Sequence, residues 1–361
     1  MRPSRPRRPT GAVAIAAAIA AATAGCGSTG RGTSAHGSIG KATGAAIAAA
    51  VAAATDAVVP WRCAWLGDPV TAAAPGGWHL DGQRLIRDGG DGATGRAARA
   101  LTRLVFLADA RGGDDAGATA RGVRAALDAA PPAVVVTLGG LGTDRDTIEA
   151  TLGPLATGAP WVVVAIPGDR EAIPEHRAAI GRLAAAGAPV VDGSQVRVIE
   201  LPGVRVGTLP GVPWRTRLAA GVDGCVHDVD DLAALLDALT GPPGGDVGDD
   251  RPTTILATQT PPRQQGAFDL APGGVHVGEI ALAAALVDRG LDVVAQGAVD
   301  DLPRAAGAAR RGAAPLFVPV GALDATPRYL ADGTRVVPTG VTVTAGPRDV
   351  AWEPLRPRVL P

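Results

Sequence analysis

Apolar positions along this chain change their period several times, and each change predicts an element. At 78–87 apolar and polar residues alternate around Asp81-Gly82, the pattern of a β-hairpin with a type I′ turn. Apolar runs at 104–107, 134–138 and 161–166, interrupted only by Thr137, predict strands covered on both faces. Between them, 116–129 has helical spacing, with Val123 and Leu127 on one side. The stretches 146–155 and 173–186 predict two further helices, the second stopped by Gly187. Runs at 196–201 and 204–209 flank Pro202-Gly203 and predict an antiparallel pair.

The second half repeats the theme. An amphipathic helix is expected at 230–239 with Asp228 as its N-cap, then a Gly/Pro/Asp loop at 242–252. A strand at 254–257, a helix at 279–289 and a strand at 293–295 follow. From 316 onward the pattern is one of hairpins, with a second Asp-Gly turn at Asp332-Gly333. No internal repeat is visible. Strands alternating with helices, then a β-rich end, predict an α/β layered architecture.

The first 60 residues break this rhythm. Arg2, Arg5, Arg7 and Arg8 precede an uncharged apolar run at 11–22, too short to span a bilayer comfortably. Thr23-Ala24-Gly25-Cys26 then resembles the bacterial lipoprotein cleavage box, with Thr where Leu is usual. The resemblance implies a signal peptide at 1–25 and lipidation of Cys26. An ordinary secretory signal cut nearby is the alternative. Both place the protein outside the cytoplasm, and the first holds it at a membrane of the cell envelope. Residues 26–60 are expected to be a low-complexity tether with a frayed Ala-rich helix at 44–57, and 61–361 the folded domain. With Cys26 lipidated, Cys63 and Cys225 remain, either as a disulfide or as two separate buried thiols.

Composition narrows the function classes. A formal net charge of -1 gives no footprint for nucleic acid. The sole lysine, Lys41, excludes a phosphate-binding P-loop, and there is no Gly-x-Ser-x-Gly nucleophile elbow. Ser194, in Asp192-Gly193-Ser194, is expected to serve a turn.

In layered α/β folds, ligands sit at the carboxyl ends of strands. Asp109-Ala110-Arg111 follows the first strand, and Gly139-Gly140-Leu141 the second. Gly168-Asp169-Arg170-Glu171 follows the third. Gln259 and then Gly297-Ala298-Val299-Asp300-Asp301 follow two later strands. This order resembles the calcineurin-like metallophosphoesterases, whose motifs run Asp-x-His, Gly-Asp, Gly-Asn-His-Asp/Glu, a lone His, and Gly-His-x-His. The resemblance covers about 104–300. It implies a four-layer α-β-β-α sandwich, two sheets face to face with helices outside.

The resemblance also implies where two metals would be held, and the departures fall there. Asp109 keeps the first Asp, but Arg111 stands for its His partner and Gly140 for the bridging Asp. Asp169 replaces Asn and Arg170 the His that meets the leaving group. Gln259 takes the lone His position, and Ala298 and Asp300 take the last two. None of the five histidines, His36, His79, His176, His227 and His276, falls at a ligand position. His176 is expected to be a solvated or partly buried helix residue. A guanidinium cannot ligate a metal and repels one. The expectation is a binding or scaffold protein without cofactor, its partner a protein or a small anionic ligand. The alternative is a hydrolase in which Asp109, Asp169 and Asp300, with Asp301 and Gln259, gather a hard divalent cation. The arginines Arg111 and Arg170 are expected to pair with the acids of the former site.

Overall fold

The computed structural model describes residues 70, 72–88, 101–110, 118–219, 221–241, 251–264, 269–271, 275–287, 289–297, 307–310, 314–323, 328–329, 335–336, 338–346 and 348–357. Readings placed on Cys26, Cys63, Arg111, Ala298, Asp300, Asp301, the 44–57 helix and the Asp332-Gly333 turn lie outside them. The chain separates into two compact units, Met1–Pro60 and Trp61–Pro361. All described residues belong to the second.

Its strands are β1 (Trp78–Asp81), β2 (Arg84–Arg87), β3 (Thr102–Leu107), β4 (Val134–Leu138), β5 (Val162–Ile166), β6 (Val190–Asp192), β7 (Val198–Leu201), β8 (Val204–Leu209), β9 (Thr253–Thr258), β10 (Leu270–Ala271), β11 (Val275–His276), β12 (Val293–Gln296), β13 (Gly307–Arg310), β14 (Leu316–Pro319), β15 (Arg328–Tyr329), β16 (Arg335–Val336), β17 (Gly340–Ala345) and β18 (Asp349–Leu355). The helices are α1 (Ala118–Ala129), α2 (Arg145–Ala156), α3 (Ile173–Ala185), α4 (Val229–Thr240) and α5 (Ile280–Ala285). They build two seven-stranded sheets, β1-β2-β7-β8-β9-β12-β14 and β13-β18-β17-β3-β4-β5-β6.

The strand sequences show why the sheets stack. β4 reads VVVTL and β5 VVVAI, and every residue in both is buried. Val134, Val136 and Leu138 join Ile199, Val206, Ile255 and Val293 of the other sheet in one apolar cluster. Val135 faces the other way, into a second cluster with Leu127 of α1, Ile148 of α2 and Ile180 of α3. Beyond the other sheet, Leu232 and Leu235 of α4 and Leu282 of α5 pack on Leu209, Leu256 and Val294. The order is therefore helices, sheet, sheet, helices: the four-layer α-β-β-α sandwich that the resemblance implies. Each fully buried Val or Leu contributes about 1.5–3 kcal/mol relative to an exposed one.

Local signals hold at most boundaries. Asp228 caps α4 in a reciprocal box with Asp231, and Asp144 does the same for α2 with Thr147. Three details differ from expectation. The first hairpin pairs Asp81 with Arg84, so its turn is Gly82-Gln83, with positive φ at Gly82 only. That is the Gly-x type II′ pattern rather than I′. The helix expected at 279–289 is shorter, with Glu279 as its N-cap. β6, of three residues, and β13, which reads GAAR without a β-branched or aromatic residue, are too short or too featureless to be seen in advance.

Cys225 is fully buried and disulfide-bonded. Two separate thiols are thus excluded for it, and the chain's other cysteines are Cys26 and Cys63.

Candidate functional site

Five strand ends meet at one place. After β3, Asp109 is buried in a positive-φ conformation of 50°, uncommon for a residue with a side chain. Its N–H donates to the Gly139 carbonyl at 3.0 Å, tying the ends of β3 and β4. Gly139 and Gly140 both have positive φ, and a Cβ on Gly139 would lie 2.6 Å from the Gly168 Cα after β5. A Cβ on Gly168 would meet the Gln259 amide after β9, at 2.4 Å from Oε1. A Cβ on Gly297 after β12 would sit 3.3 Å from the Ala108 Cβ and 3.5 Å from the Gln259 Cα. Close backbone approach requires glycine at 139 and 140, and these contacts bring the five motifs together.

One carboxylate clamps two of these ends. Glu171 is fully buried and accepts the N–H groups of Gly168 at 2.7 Å, Gly142 at 3.3 Å and Leu141. Its place as the last residue of Gly168-Asp169-Arg170-Glu171 was visible in the sequence; its role as a clamp was not. Nearby, Glu175 accepts the Arg145 N–H at 3.2 Å.

Gln259 takes the centre. It is buried, and its Nε2 donates to Asp169 Oδ1 at 2.8 Å. Its Oε1 is buried without a hydrogen-bond partner. Arg170 is half-buried. Among the described residues Arg170 forms no ion pair with Asp109 or Asp169; Asp169 takes its contact from Gln259 instead. Pairing through Arg111 or with Asp300 lies outside the described residues.

Of the positions where the resemblance would place metal ligands, Asp109, Gly140, Asp169, Arg170 and Gln259 are described. A bridging carboxylate cannot enter at Gly140, because its Cβ would fall 2.4 Å from Asp109 Oδ1. Asp169 Oδ1 accepts an N–H from Gln259. Among the described residues no group of three or more His, Cys, Asp or Glu side chains can hold a metal.

Two buried histidines lie apart from this point. His176 is fully buried, not solvated, with Nε2 3.1 Å from the Ala165 carbonyl and 3.4 Å from Asp192. Burial pushes the Asp192 carboxyl up, but hydrogen bonds from His176, the Ser194 N–H and Gln195 outweigh it and hold the group well below the usual carboxylate range. Ser194 is fully buried in this turn and faces Arg177, so Ser194, His176 and Asp192 form a structural network rather than a nucleophilic triad. His227 is buried with Nδ1 3.1 Å from the Pro210 carbonyl, and burial lowers its pKa to about 4. His276 is held by buried Asp269 at 2.7 Å.

No protein-family model matches the chain, and no curated protein matches it. Solved structures do. One is covered along 100% of its chain, with 71% of this chain, 11% identity and a TM-score of 0.50. TT1561 of Thermus thermophilus is covered along 100% of its chain, with 69% of this one, 14% identity and a TM-score of 0.44. Purple acid phosphatase PPD1 from yellow lupin seeds shares 11% identity over 75% of this chain and 53% of its own, at a TM-score of 0.44. At such identities the likeness is one of fold.

Proposed function

We propose that this chain is a pseudoenzyme: an exported, lipid-anchored protein of metallophosphoesterase fold that binds a partner protein or a small anionic ligand and does not hydrolyse phosphoesters. The observation that carries this reading is Gln259, whose amide lies against Gly168 and bonds Asp169 where the strand ends converge. Catalysis of the kind this fold supports needs cations at that point to polarise a phosphoryl oxygen and generate hydroxide. Here the point holds a neutral amide.

One atom favours a second reading. The unpartnered Gln259 Oε1 is a neutral oxygen of the type a hard cation takes, with Asp109, Asp169 and Asp300 as anionic partners.

Restoring the missing carboxylate separates a site closed by its backbone from one merely short of a ligand. Gly140→Asp should bind no Mn²⁺ and should lose about 2–4 kcal/mol of stability, from positive φ, steric overlap and a second charge beside Asp109. Stoichiometric Mn²⁺ in this variant would support the second reading.

Export is supported by the disulfide at Cys225, since such bonds persist in oxidising compartments. Lipidation at Cys26 and this disulfide are compatible only if the bond joins Cys63 and Cys225. In the native host, Cys26→Ala should leave the membrane fraction while non-reducing peptide maps still link Cys225 to Cys63. Continued membrane association, or a Cys26–Cys225 link in the wild type, would refute this pairing of roles.

A further inference from the structure

The segment between β8 and α4 runs as a strap along the loop that follows β5. Gly211 donates its N–H to the Pro167 carbonyl at 2.8 Å, and Ala219 donates to the Asp169 carbonyl at 2.9 Å. Ile173 donates back to the Asp223 carbonyl at 3.1 Å, and a Cβ on Gly224 would lie 3.2 Å from the Glu171 carbonyl oxygen. The strap thus meets every second residue from 167 to 173, the loop that carries Asp169 and Arg170. Two side chains tie it elsewhere: Arg217 donates to the Val277 carbonyl at 2.6 Å, and the Trp214 indole to Glu279 at 3.1 Å.

Hydrogen bonds, not packing, hold this strap. Between Val212 and Gly224 none of the described residues is buried. Such a segment opens at lower free energy than the strands beneath it. Its two ends close on one residue. Val212 and Val226 form a parallel bridge, the His227 N–H donates to the Val212 carbonyl at 3.0 Å, and the His227 Nδ1 lies 3.1 Å from the Pro210 carbonyl. His227 is buried, and burial lowers its pKa to about 4. The Pro210 carbonyl, Glu279 before α5 and Asp228 at the start of α4 favour a charged ring; the buried Arg197 guanidinium, just before β7, opposes it.

We propose that the strap is a pH-operated cover on the loop of Asp169 and Arg170, released when His227 takes up a proton. A charged ring would share a buried site with the Arg197 guanidinium, and water relieves it only if the ends of the strap part. Parting breaks the contacts at Pro210 and Val212, and with them the hold of Ala219 on Asp169. The loop that carries Arg170 is then uncovered. As regulation of ligand binding this rests on the binding reading above; the opening itself does not.

Hydrogen exchange of the intact chain tests this, read by mass spectrometry on peptides covering 211–227 and, for comparison, 134–138 and 162–166. Rates are corrected for the intrinsic effect of pH. The 211–227 amides should open at lower free energy than the two strands and be indifferent to low urea, the mark of a local opening. From pH 7 to pH 5 their opening constant should rise about twentyfold, the factor set by a pKa of about 4 in the closed strap and about 6.5 in the open one. In His227→Asn the factor should fall to about one. Exchange of 211–227 only together with the strands, in step with urea, would overturn the proposal and leave His227 acting on global stability alone. A wild-type opening constant equal at both pH values would also overturn it, and that result needs no variant to fold. A factor that persists in His227→Asn would assign the switch to another group and sink the proposal too. The binding reading fails separately, on metal-dependent turnover.

Discussion

Replacing Glu171 by alanine is expected to destabilise the domain by about 3–5 kcal/mol. The reason lies in what its carboxylate holds. Three backbone N–H groups, from Leu141, Gly142 and Gly168, converge on it in a fully buried position. Each buried donor left without an acceptor costs about 1–3 kcal/mol, and alanine supplies none. Glu171→Gln should also destabilise, by about 2 kcal/mol, because its NH₂ would face one of those donors. Glu175→Ala is the control: it accepts one exposed N–H, from Arg145, and should cost less than about 1 kcal/mol. Urea midpoints at constant m-value give all three figures. A Glu171→Ala variant within about 1 kcal/mol of wild type would show that the strand ends hold together without the clamp.

The second large effect is a pH dependence. His227 has its pKa lowered to about 4 by burial, against about 6.5 in an unfolded chain. Between those values the unfolded chain binds the extra proton and the folded one does not. Stability therefore rises with pH across this window and falls as the pH drops from 6.5 to 4, by up to about 3 kcal/mol. Neutral imidazole satisfies the site, since its Nδ1–H can donate to the Pro210 carbonyl. His227→Asn keeps a donor and cannot titrate. The slope present in wild type and absent in the variant isolates this histidine. Parallel curves for the two proteins would contradict the assignment. Asp192, with a lowered pKa, acts at the acid end: its contribution is full above about pH 4 and fades below.

Much of the fold was legible because the strands are covered on both faces. Runs such as Val134–Leu138 and Val162–Ile166 announce themselves by composition, and Asp228 by its capping chemistry. β6 did not: it has three residues, one of them Asp192, and follows Pro189. Pairing across the sheet was also invisible, since β3 meets β17 more than 200 residues away and no local pattern encodes that contact. At the site, the glycines at 139, 140 and 168 were readable as motif positions. The Gln259–Asp169 hydrogen bond was not, because it depends on two loops from different sheets.

The proposed pseudoenzyme has lost metal-dependent hydrolysis at the point where the strand ends meet. The direct measurement is metal content and turnover on one sample: protein equilibrated with Mn²⁺, Zn²⁺ and Mg²⁺, passed over a desalting column, then assayed against a p-nitrophenyl phosphate monoester and diester. The expected result is well below one bound metal per chain and hydrolysis at the blank rate. One or two equivalents of metal, with turnover that Asp109→Asn abolishes, would contradict it.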